Sequence, residues 1–113
     1  MSHEPGLVAR ATLDSTSGFA QKVHTGHHDL TADEPASVPG GTDTGPSPYG
    51  LVLSGLGACT SITLRMYADR KSWDLGSIHI ELRMLEDDGG AKHIERTIRF
   101  SSTLTDDQRS KLA

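Results

Sequence analysis

The sequence predicts an α+β domain, on three observations. Near the amino terminus apolar and polar residues alternate with the period of half-buried strands. At Ser47–Pro48 a run begins that is apolar or small almost all the way round from Leu51 to Ile62, which marks a long internal helix. Beyond it, alternation returns on either side of a Glu86–Gly90 turn signal (EDDGG), which marks a β-hairpin.

Taken in order, Leu7, Ala9, Ala11 and Leu13 alternate with Val8, Arg10, Thr12 and Asp14, predicting a first strand over residues 7–14. Residues 15–18 read as a turn, residues 19–25 as a second strand, and Gly26 as another tight turn. His28, Leu30 and Ala32 give a third strand, completing an antiparallel meander. Residues 33–45, rich in Pro, Gly, Asp and Thr, form a loop. Ser47 is a natural N-cap and Pro48 suits the first helical position, so the central helix starts there. It runs to Lys71, about 36 Å at 1.5 Å per residue, and its apolar part is expected to be buried. Trp73 and Leu75 fold back onto the core. Ile78, Ile80, Leu82 and Met84 define one face of the next strand. Ile94, Ile98 and Phe100 define the apolar face of the strand over residues 92–101, and Arg96 falls on that same face. Thr105 caps a second helix, with Asp106 and Asp107 well placed in its first turn.

A chain of 113 residues reads as a single domain, 1–113, with a modest core. A net charge of −4 with both signs interspersed points away from nucleic acid and anionic membranes as partners. No apolar run approaches the roughly 20 residues of a membrane span, and the opening MSHEPG is no signal peptide. One cysteine leaves no internal disulfide and fits a reducing, cytoplasmic setting. With one Trp, two Tyr and two Phe, large core side chains are scarce, which favours oligomerisation. His24, His27, His28 and Asp29 lack metal-ligand spacing, because 27 and 28 point to opposite faces of a strand. No metal and no cofactor is expected.

The segment GPSPYGLVLSGLGACTSITLRMYADRK, preceded by HDLTADEP and GGTDTGP and followed by HIERTIRF, resembles the OsmC-like family, the osmotically inducible protein C and organic hydroperoxide resistance proteins. The resemblance covers most of residues 19–104. It implies an intertwined homodimer whose central helices lie together, with the active sites at the interface. It also implies a cysteine on the central helix that attacks organic hydroperoxides, an arginine that stabilises the thiolate, a glutamate that orients the arginine, and a second cysteine that forms a disulfide.

Only the first of these parts maps cleanly, onto Cys59. A reactive cysteine must be thiolate, and so needs a cation or hydrogen-bond donors nearby. Mid-helix, the macrodipole alone does not suffice, and a free cysteine on an apolar helix is otherwise a small buried hydrophobe. For the arginine the candidates are Arg10, near where the resemblance puts it, and then Arg96; Arg65 is expected to face solvent. The carboxylate should lie at Tyr49 or Gly50, and neither is acidic. Glycine at position 50 also forgoes the capping box that Glu would close with Ser47, a cost of roughly 1 kcal/mol. The second cysteine is absent from the sequence. The resemblance further implies that relatives extend past the position of Ala113, so this chain is expected to be C-terminally short.

Two functions from different classes follow. One is a peroxidase that reduces organic hydroperoxides through a single cysteine, Cys59, with an external thiol as reductant. The other is a non-catalytic dimer of the same fold that binds a small apolar ligand or takes part in a stress response without turnover.

Overall fold

The computed structural model describes residues 5–112. Its elements are β1 (Ala11–Asp14), β2 (Gln21–Thr25), β3 (His28–Ala32), α1 (Pro48–Lys71), β4 (Ile78–Glu86), β5 (Lys92–Phe100) and α2 (Asp106–Leu112). The chain divides into two compact units, 1–51 and 52–113.

In the first unit β1, β2 and β3 form the predicted antiparallel meander. β1 is shorter than the alternation from Leu7 suggests. Its register runs from Asp14↔Lys22 to Ala11↔Thr25, and β2 ends there because the chain reverses at Gly26, with φ 62°. Residues 7–10 have no strand opposite, so their alternation has no ladder to join. The second strand likewise begins at Gln21 rather than Phe19. Phe19 instead lies against the loop at Gly40, where a Cβ would meet the ring at 2.7 Å.

The loop after β3 closes on itself. The Asp33 N–H donates to the Pro46 carbonyl (3.0 Å) and the Asp43 N–H to that of Glu34 (3.1 Å). Gly45 passes so close to β3 that a Cβ would fall on the Thr31 carbonyl, and rigid backbone cannot yield as a side-chain tip can. Gly45→Ala is therefore expected to destabilise the fold by about 2–3 kcal/mol, read as a shift of the urea midpoint with an unchanged slope. A midpoint equal to wild type would show that the loop tolerates displacement.

The helix α1 starts as its sequence dictates. Ser47 Oγ accepts the Gly50 N–H (3.1 Å) and the Ser47 carbonyl accepts the Leu51 N–H (2.9 Å), an N-cap with its first helical bond. Its far end, in the second unit, is a Schellman motif. Ser72 takes the left-handed conformation (φ 56°), its N–H reaches the Asp69 carbonyl (3.2 Å), and the Trp73 N–H reaches that of Ala68 (2.9 Å). Trp73 then packs edge-on against Tyr67, ring centroids 5.7 Å apart.

β4 and β5 pair antiparallel from Ile78↔Phe100 to Glu86↔Lys92. Asp87 organises the turn between them, its Oδ1 accepting the N–H groups of Gly89 and Ala91 at 2.9 Å. α2 opens with a capping box: Thr105 Oγ1 accepts the Gln108 N–H (3.1 Å), and the Thr105 N–H donates to Gln108 Oε1 (2.9 Å). The core of this unit is Ala68, Leu75, Leu104 and Leu112, with Leu64, Tyr67, Trp73, Ile78 and Phe100 packed around it.

One expectation fails in the single chain. The helix that its composition would bury all round buries only Ala68. Val52, Ile62 and Met66 remain 58–59% exposed. The hairpin and one short helix approach one side of α1 and leave its residues at most half-buried except Ala68, while the other side is exposed. The expectation that nothing here is span-like also needs correcting. Gly and Ser interrupt the apolar run without lowering its average much, so α1, with mean hydropathy 1.2 over 18 residues, is long and apolar enough to cross a membrane by composition.

Candidate functional site

Cys59 lies mid-way along α1, exposed and in no disulfide. At about 100° per residue, Val52, Gly55, Leu56, Cys59, Ile62, Thr63 and Met66 fall within an arc of about 120°, with Cys59 at its centre. Every one of these side chains is exposed. The thiol is thus the midpoint of an uncovered, mainly apolar stripe.

The opposite side of α1 carries the small residues. Gly57 faces β4 so closely that a Cβ there would stand 2.8 Å from Leu82 Cδ1. Leu53, Ser54, Gly57, Ala58 and Ser61 line an open groove of about 390 Å³ with Ile78, Ile80 and Leu82. Glycine at 57 lets the hairpin approach the helix, which is why α1 tolerates its helix-propensity cost.

Arg96 connects β5 to the helix beside the cysteine. It pairs in register with Leu82, which confirms its place on the helix-facing side of the hairpin. Its Nη1 donates to Thr60 Oγ1 (3.0 Å), and Thr60 in turn donates to the Leu56 carbonyl (2.8 Å). Among the described residues Arg96 makes no ion pair. Its aliphatic stem crosses the apolar face and its head bonds to the residue that follows Cys59. Thr60 was not singled out by the sequence; a β-branched hydroxyl inside a helix commonly bonds the carbonyl four residues back, and that habit is the only local signal.

The other candidates fall elsewhere. Arg10 precedes β1 in the first unit, where its carbonyl accepts the Thr25 hydroxyl (2.8 Å), whereas Cys59 is in the second unit. The pairing of Arg10 with Cys59 therefore rests on the family resemblance alone. Arg65 is exposed, as expected, and its Nη1 also donates to the Gly76 carbonyl (2.9 Å), tying α1 to the chain after it. Gly50, the position expected to carry a carboxylate, uses its N–H on the cap, and a Cβ there would stand 3.2 Å from Ser47 Oγ. His24 Nδ1 and Asp29 Oδ1 lie 2.7 Å apart across β2 and β3, both exposed, and the rings of His27 and His28 stand 4.5 Å apart. No group of three or more His, Cys, Asp or Glu among the described residues is placed to hold a metal.

Among the described residues Asp33 is the one buried ionisable side chain, 2% exposed. Thr42 Oγ1 (2.6 Å), Thr44 Oγ1 (2.7 Å) and the Thr44 N–H (3.1 Å) all donate to its Oδ2, and the Glu34 N–H donates to Oδ1 (2.7 Å). The Thr42 hydroxyl leads in holding the carboxyl well below the usual carboxylate range, followed by Thr44, against the opposing pull of burial.

Residues 41–113 match the family described as OsmC-like protein, nearly two thirds of the chain. The chain belongs to the OsmC-like family. No curated protein matches it by sequence. Among solved structures, an osmotic stress induced and detoxification response protein of Psychrobacter arcticus superposes with a TM-score of 0.78 at 14% identity. That alignment covers 98% of this chain and 82% of the other. The organic hydroperoxide resistance protein OhrB of Bacillus subtilis superposes with a TM-score of 0.60 at 22% identity, over 94% and 80% of the two chains. At these identities the likeness is one of fold, and it agrees with the α+β architecture of antiparallel strands and a long helix. The OsmC-like match includes α1, Cys59, the hairpin and α2. Within it, this chain has glycine at position 50 and no second cysteine.

Proposed function

We propose that this OsmC-like protein reduces organic hydroperoxides through Cys59, as a homodimer, with an external thiol as reductant. The observation that carries the reading is an exposed thiol at the centre of an apolar stripe on the helix that the family match spans. The Cys59 thiolate attacks the terminal peroxide oxygen. An S–O bond forms, the O–O bond breaks, and the leaving alkoxide takes up a proton to become the alcohol. The cysteine is left as sulfenic acid. One external thiol condenses with it, releasing water and giving a mixed disulfide, and a second thiol then restores Cys59 and leaves as the oxidised reductant. Apolar neighbours suit an alkyl substituent. The stress-response and hydroperoxide-resistance descriptions of the two structural relatives support the same direction.

The decisive experiment is a single turnover. Reduced protein meets an equimolar alkyl hydroperoxide in the presence of a sulfenic-acid trap, read by intact mass. Trapping is expected at Cys59, faster than at a free small-molecule thiol, faster with the alkyl hydroperoxide than with hydrogen peroxide, and absent in Cys59→Ser. Trapping at the pace of a free thiol would favour the second reading, a non-catalytic OsmC-like dimer. That reading draws on Gly50, which supplies no carboxylate to orient a cation.

Two arginines compete for the role of cation: Arg10 by resemblance, Arg96 by its bond to Thr60. Arg10→Gln and Arg96→Gln compared in the same assay separate them. The variant lacking the catalytic cation is expected to trap at least about tenfold more slowly, the equivalent of about 1.4 kcal/mol, and the other to match wild type. Equal rates in both would remove arginine from the mechanism.

A further inference from the structure

We draw no further inference here: the strongest candidate, the open groove between the Gly57 side of α1 and Ile78, Ile80 and Leu82 of β4, is an unpartnered face, and nothing in the structure shows what covers it.

Discussion

Replacing Asp33 with alanine is expected to lower the melting temperature by on the order of 10 °C, because four donors lose their acceptor together. The carboxylate gathers both ends of the 33–45 loop. Its oxygens take the N–H of Glu34 at one end and the hydroxyls and N–H of Thr42 and Thr44 at the other, while its own N–H holds Pro46, next to the Ser47 cap. With 2% of Asp33 exposed, water cannot replace the lost acceptor without opening the loop. Asp33→Asn should fare little better. If its oxygen takes the place of Oδ2, its NH₂ faces the Glu34 N–H, donor against donor. The effect has a pH signature. A carboxyl held below its usual range stabilises the fold fully above the ordinary value, near 4, and loses that contribution as pH falls toward its folded value. The gap in melting temperature between wild type and Asp33→Ala should thus be widest at neutral pH and narrow below about pH 4. A gap that stays constant down to pH 2.5 would mean that the loop is held by something other than the ionised carboxylate.

Ile62→Asp is expected to turn the proposed homodimer into a monomer with little effect on the folding of the single chain. Ile62 is 58% exposed, so a carboxylate there costs the isolated chain only what an exposed helix position costs. Buried in a helix–helix seam, the same carboxylate would be desolvated without a partner. Association is then expected to weaken by at least about 100-fold, or about 3 kcal/mol. Sedimentation velocity of wild type and variant across a concentration series reads this directly, with far-UV circular dichroism as the check on folding. A wild-type chain that sediments as a monomer at every concentration would overturn the dimer reading, and the open side of α1 would then need another explanation.

Much of the local structure was legible in residues. Ser47–Pro48 marked the start of α1, Thr105 the start of α2, EDDGG the hairpin, and alternating aliphatics both of its strands. Each of these signals acts within a few residues, through a cap, a turn or a period. The start of β1 was not legible, because a strand lasts only as long as its partner and β2 stops at Thr25, opposite Ala11. Nor was Asp33: an aspartate in a Pro- and Gly-rich loop looks like any turn residue until Thr42 and Thr44 close on it. Of the candidate site, the cysteine could be named from α1 alone. The bond between Arg96 and Thr60 joins residues 36 apart and appears only when the hairpin lies against the helix.

The sequence by itself determined the α+β order of elements, the family, and the place of Cys59 on the central helix. All of these are written in short-range patterns and in one continuous motif. Tertiary structure decided which side of α1 is covered. The helix is apolar almost all round, and periodicity cannot choose a side when every side qualifies. Gly57 marks the side that the hairpin approaches, since a Cβ there would stand 2.8 Å from Leu82 Cδ1. The hairpin approaches the small-residue side at Gly57 and leaves Cys59 on the opposite, exposed side.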